Sequence, residues 1–233
     1  MSTKQRKINR LEIERQAEKF LKEYQERYSI KLQAPVDISN IMDCMCDFHI
    51  ICENLQEKYG DDVLGAIIFD DEERTIIVDS LLDPDKNSKM LGRYNFTVAH
   101  EAGHWILHST SKRNKDIKQN KNKLPKKYSV LCRSGKYKKR PLIEKEADCF
   151  AGYILMPKKL IVEAWQNSGQ NISCTINVFE ELVEQRKVLE LSENNNTVTC
   201  LIAKKLAEIF EVSALAMQIR LVELGLIEET EHI

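Results

Sequence analysis

The chain reads as an α+β protein. A first domain over residues 1–165 holds a small antiparallel or mixed sheet beside two site-bearing helices, and a helical, helix-turn-helix-like segment follows over 166–233. Three observations predict this. Val63–Phe69 and Thr75–Val78 are apolar, β-rich runs separated by the acidic residues 70–73, the pattern of an antiparallel hairpin. Helical three-to-four periodicity surrounds that hairpin instead of alternating with strands, which argues against βαβ units. Beyond residue 166 the apolar pattern is helical throughout.

Lys7 to Tyr28 spaces Ile8, Leu11, Ile13, Ala17, Phe20, Leu21 and Tyr24 as one stripe among dense charge, so it is expected to be a helix. Asp37 stands where a capping side chain belongs, ahead of Ile38, Ile41, Met42 and Met45 on one face. Phe48–Cys52 reads as a strand, with His49 a polar position on it. After the hairpin, residues 82–88 form a loop whose Asn87 or Ser88 caps the next helix. Pro141 suits a helix start, and the stripe Ile143, Ala147, Phe150, Ala151, Ile154 and Leu155 runs to a stop at Met156 and Pro157. Thr175–Leu191, Leu201–Phe210 and Ala214–Leu224 are further expected helices, with Val212 and Ser213 as turn and cap and Gly225 at the end.

Composition narrows the classes. No run of 18 apolar residues exists, so no membrane span is expected. The first ten residues hold no apolar signal core. Seven cysteines, none as Cys-x-x-Cys, read as reduced thiols of a cytoplasmic protein. Charge is uneven within a net −1: residues 111–140 carry thirteen Lys or Arg and one acid, Asp116. That stretch shows no helical or strand period. It is either a solvated loop or an attractor for an acidic substrate, or for DNA near a DNA-bound substrate. Residues 200–233 carry Lys204, Lys205 and Arg220 against six Glu, a balance poorly suited to phosphates. A supporting or partner-docking role is the better reading of that helical segment.

The chemistry concentrates at residues 97–108. His100, Glu101 and His104 spell H-E-x-x-H. Residues four apart on a helix share a face, so the two imidazoles converge, while the neighbouring carboxylate can reach a water held there. That donor set suits one zinc ion per chain with an open position. Gly103 sits on the buried stripe with Phe96, Ala99, Ile106 and Leu107, which predicts another backbone passing close by.

The motif is common by chance, so a third ligand is required. Glu144 and Asp148 lie four apart on the second helix. Glu144 can complete a His, His, Glu set, and Asp148, one turn along, can accept the spare ring N–H of a ligand histidine. Glu146 is expected to face solvent. His108 competes for the third position but drifts about 80° from His100, and otherwise suits the helix C-terminus. His108 and Tyr128 are candidates to line the cleft, and with Tyr137 to stabilise an oxyanion. Edge pairing of a substrate strand with the Val63–Val78 hairpin is the expected docking mode.

Phe96, Thr97, Ala99, His100, Glu101, Gly103 and His104, followed by Glu144, Ala147, Asp148, Phe150, Ala151, Leu155, Met156 and Pro157, resemble the ImmA/IrrE metallopeptidases. That family's pattern is F-T-x-A-H-E-x-G-H, then E-x-x-A-N-x-F-A-x-x-L-L-M-P. The likeness extends to the N-terminal helix with residues 35–38 and to residues 212–226, covering most of 8–165 and 200–227. Asp148 replaces the usual Asn, and the basic stretch and residues 167–198 are longer than usual. The resemblance implies a zincin-like fold, zinc on His100, His104 and Glu144, and Glu101 as general base. It also implies a protein substrate: a helix-turn-helix transcriptional repressor, cleaved to switch on stress-response or mobile-element genes. The rival from another class is a non-proteolytic regulator that binds DNA or protein and uses zinc structurally. An intact Glu101 argues against it, since a structural site has no use for that base.

Overall fold

A computed structural model of the chain describes residues 9–60, 62–69, 74–108, 130–133 (as backbone), 141–190 and 198–230. Tyr128, Tyr137, the 70–73 connection and most of the basic stretch lie outside these. The architecture is mixed α+β, with nine α-helices among the described residues, and is compatible with a zincin-like domain. No helix among them is long and apolar enough to cross a membrane.

The chain divides into two compact units, Met1–Leu32 with Asp37–Leu155, and Gln33–Val36 with Met156–Ile233. The first contains α1 (Arg10–Tyr28), α2 (Ile38–Cys46), β1 (His49–Glu53), α3 (Leu55–Tyr59), β2 (Val63–Phe69), β3 (Arg74–Asp79), α4 (Leu91–His108), β4 (Val130–Arg133) and α5 (Leu142–Leu155). Its helix starts are capped by short polar side chains. Asn9 accepts from Glu12 N at 3.2 Å, and Asp37 accepts from Asn40 N at 3.0 Å. Asp79 closes β3 and serves three backbone donors from within the core: its carboxylate accepts from Leu55 N at 2.8 Å, Gln56 N at 3.0 Å and Leu81 N at 3.0 Å. A buried carboxylate is tolerated where its acceptor capacity is filled.

The sheet order is β1-β3-β2-β4, with β1 parallel to β3 and β2 antiparallel to both β3 and β4. Both faces of its centre are covered. Val63, Ala66, Ile68 and Ile77 cluster with Leu55 and Tyr59 of α3. The opposite face lies under α4, and α5 packs against both α4 and α1.

The topology corrects three expectations. The Val63–Val78 hairpin exists, but β2 and β3 both sit inside the sheet and offer no free edge to a substrate. The basic stretch is not aperiodic throughout: Val130–Arg133 forms β4, whose backbone pairs with β2. Thr175–Leu191 does not begin as a helix, because Ile176–Asn177 pairs instead with residues 227–228.

The second unit holds α6 (Lys158–Asn167), β5 (Ile176–Asn177), α7 (Phe179–Val188), α8 (Leu201–Phe210), α9 (Ala214–Glu223) and β6 (Ile227–Glu228). Ser213 caps α9 by accepting from Ala216 N at 3.1 Å. Gln218 is buried with both ends used: it accepts from Cys200 N at 2.7 Å and donates to Glu229 at 2.7 Å. Arg220 is buried too, and its Nε donates to Met156 O at 3.2 Å. These polar contacts hold α8, α9 and the segments beside them in one arrangement, since an unmade buried hydrogen bond costs about 1–3 kcal/mol.

Candidate metal centre

Helix α4 begins where a short 3₁₀ turn, Ser88–Met90, runs into it, and Asn87 caps that turn through Lys89 N at 3.2 Å. From Thr97 to His104 every residue is buried, so the helix has lost its solvent face there. Gly103 explains how. A Cβ at that position would stand 3.2 Å from Ala147 Cα and from Phe150 Cβ, so the backbone of the second site-bearing helix passes close by where α4 has no side chain. The close passage expected from a glycine on the buried stripe is present.

That approach sets the donors. His100 Nε2 and His104 Nε2 are 3.0 Å apart, one turn of α4 separating the residues. Glu144, in the first turn of α5, places Oε2 3.3 Å from His100 Nε2 and Oε1 3.3 Å from His104 Nε2. An ion bonded tetrahedrally at about 2.0–2.2 Å needs donor atoms about 3.3–3.6 Å apart. The three side chains therefore sit close to the spacing a metal ion requires, and among the described residues they are the group suited to hold one.

Asp148 fixes the chemistry of His100. Its Oδ1 lies 3.0 Å from His100 Nδ1. A carboxylate oxygen accepts, so the ring proton sits on Nδ1 and the Nε2 lone pair faces the site. Burial holds the pKa of His104 below that of an ordinary imidazole, keeping it in the neutral form a ligand needs. Burial works against the charge of Glu144. The His100 and His104 imidazoles beside it outweigh that and hold its carboxyl well below the usual carboxylate range.

Glu101 is fully buried. Burial pushes its pKa up to about 8, His100 opposes the rise and Glu144 adds to it. Among the described residues neither carboxylate oxygen has a hydrogen-bond partner. An orphaned buried carboxylate is costly. It is understandable beside a site that takes a cation and water, and this fits a metal on the neighbouring donors.

The other sequence candidates fall as follows. His108 is buried at the end of α4, with Nε2 3.9 Å from Glu146 Oε2 and its ring 5.8 Å from that of His104. Glu146 was expected in solvent but is buried; α5 is covered by α1 as well as α4, so its far side is not a solvent face. His49 is exposed on β1, 4.0 Å from Asp43, outside the donor group. Tyr128 and Tyr137 lie outside the described residues. The sequence reading overlooked the support of Trp105, next to His104. Its ring packs edge-on against Phe48 at 5.3 Å and under the Arg74 guanidinium at 5.5 Å. A Trp beside a ligand position was the available signal, but its partners, Phe48 just before β1 and Arg74 of β3, come from elsewhere in the chain.

Residues 85–222 match the sequence model of Peptidase_M78, the IrrE N-terminal-like domain. No curated protein matches the chain.

Proposed function

The chain belongs to the IrrE N-terminal-like peptidase family, and from that premise we propose that it is a zinc-dependent endopeptidase whose substrate is a helix-turn-helix transcriptional repressor. The observation that carries the reading is the convergence of His100, His104 and Glu144 beside a Glu101 carboxylate that has no hydrogen-bond partner among the described residues. The repressor substrate, and the release of stress-response or mobile-element genes on its cleavage, rest on the resemblance of the paired motifs on α4 and α5. A cytoplasmic location suits both such a substrate and the reduced cysteines.

His100, His104 and Glu144 are the residues that would hold zinc. When bound, zinc supplies Lewis acidity that polarises the scissile carbonyl and eases ionisation of water. Asp148 keeps the His100 lone pair turned inward throughout. Glu101 is the base: it accepts the proton of the attacking water and returns it to the leaving amine. Burial alone would keep Glu101 protonated near neutrality, and a cation on the adjacent donors favours its ionised, base-competent form.

The test is incubation of the purified, zinc-loaded chain with a panel of helix-turn-helix repressors, fragments being read by mass spectrometry. One repressor cut at a defined bond by wild type, and at least about 100-fold more slowly by Glu101→Gln, is the expected result. Glu101→Gln should keep its zinc, since the three donors are untouched. Cleavage at the wild-type rate by Glu101→Gln would remove the base role. An uncut panel, with DNA bound in a gel-shift assay, would replace the peptidase with a binding regulator.

A further inference from the structure

Gly65 of β2 lies against Glu101, and its lack of a side chain is spatial, not conformational. Among the described residues the glycines in the left-handed region are Gly60, Gly169 and Gly225. Gly65 adopts backbone angles open to any residue. A Cβ there, however, would stand 2.6 Å from Thr97 Cγ2, 2.8 Å from Glu101 Oε1 and 3.4 Å from Glu101 Cγ. The first two distances are closer than carbon atoms approach without displacement.

A second, independent feature marks the same point. The pairing of β2 with β4 runs from Val63 opposite Arg133 to Gly65 opposite Cys132, so Leu64 is an extra residue in β2. A bulge shifts the side-chain alternation by one. Val63 accordingly joins Ala66 and Ile68 in the cluster under α3, and Gly65 is left on the face beneath α4. Without the extra residue, the register would not bring a glycine under Glu101 while keeping Val63 in the core.

We propose that Gly65 is a positioning residue for the base: the bulge at Leu64 presents a glycine to α4 so that the Glu101 carboxylate can lie flat against β2 at the depth set by the helix. This rests on the base role proposed for Glu101. The three atoms nearest a Cβ at Gly65 belong to Thr97 and Glu101 and not to a metal donor, so its replacement separates base placement from metal binding.

Gly65→Ala meets two obstacles, and Thr97→Ser removes one. Serine loses Cγ2 but keeps the hydroxyl that donates to Arg93 O at 2.9 Å. The full-length chain carrying Gly65→Ala, Thr97→Ser or both is compared with wild type. Gly65→Ala should melt at a lower temperature, and the double variant should regain much of the loss. Both should hold zinc at the wild-type ratio. A crystal structure of the double variant should show Glu101 Oε1 displaced by about 1 Å, with kcat on a cleaved repressor down about 100-fold and KM unchanged. Thr97→Ser alone should keep the wild-type kcat. The proposal falls if the double variant leaves Glu101 Oε1 where it is in wild type, or if its kcat matches that of Thr97→Ser. Should wild type cut no repressor, the peptidase reading fails on its own, and the position of Glu101 in the double variant still decides the role of Gly65.

Discussion

Two packed helix pairs in this chain follow opposite rules. α4 and α5 bury ionisable groups: His100, Glu101, His104, His108 and Glu146 are all inside. α8 and α9 bury Ala203, Leu206, Phe210, Met217 and Leu221 in the ordinary way, yet leave Leu201, Ile209, Leu215, Ile219 and Val222 exposed. The second pair is held by apolar burial at about 25 cal/mol per Å², its buried Gln218 and Arg220 are hydrogen-bonded, and its exposed face costs it little. The first pair gives up that gain along its seam, where buried ionisable side chains take the place of apolar ones. The difference teaches where the chemistry lies: α8 and α9 are packed for shape, and the pair carrying the motif is packed around a converging group of ionisable side chains.

Breaking the donor set should have the largest effect on this contrast. Glu144→Ala should reduce bound zinc from near one per chain to near none, measured by atomic emission on protein purified without chelator. Zinc at 100 times its dissociation constant should stabilise wild type by about 2.7 kcal/mol, and this gain should vanish in the variant. Retention of zinc by Glu144→Ala would move the third ligand elsewhere and undo the comparison.

Asp148 sharpens it. Asp148→Ala leaves His100 Nδ1 without its acceptor and should weaken zinc affinity about 10–100-fold in a competition titration with a chromophoric chelator. Asp148→Asn still offers an oxygen to the ring N–H, and should stay much closer to wild type. Equal losses would mean that Asp148 acts through its charge and not through the tautomer.

A smaller effect is expected at Gly103. The added methyl of Gly103→Ala would press on Ala147 and Phe150 at 3.2 Å, and forced overpacking costs about 1–3 kcal/mol, read from urea midpoints. The smallest belongs to the other pair. Ile219→Lys on the exposed face of α9 should change stability by no more than about 0.5 kcal/mol. A larger loss would show that this face is covered in solution.

What was legible in the sequence follows the range of the interactions. The spans of α1, α2, α4, α5, α8 and α9 were readable because their apolar stripes and caps are local, with Asp37, Asn87 and Ser213 each accepting from a backbone N–H two or three residues on. The meeting of Glu144 with His100 and His104, and of Asp148 with His100, follows from i,i+4 spacing on two helices. Hidden were features decided by partners far along the chain. β4 is four residues long and exists by pairing with β2; β5 pairs with a strand about fifty residues later. Glu146 was misplaced because a helical wheel assumes one buried side, whereas α5 has neighbours on two. The interior position of the hairpin could not be read from Val63–Val78, since both flanking strands come from elsewhere.

The β5–β6 pairing has a consequence in time. Ile176 N donates to Leu226 O at 3.0 Å and Val178 N to Glu228 O at 2.9 Å, while Asn177 Nδ2 donates to Thr230 O at 2.8 Å. During synthesis the residues of the unit that holds His100, His104 and Glu144 have all been made once Leu155 is added. The residues around 176 wait about fifty more residues for Glu228, which at about 5–20 residues per second is roughly 2.5–10 s. In that interval Ile176, Asn177 and Val178 have water or a chaperone as their only backbone partners. A nascent chain stalled near residue 220 should therefore carry a donor group already able to take zinc, joined to a segment still open to proteases.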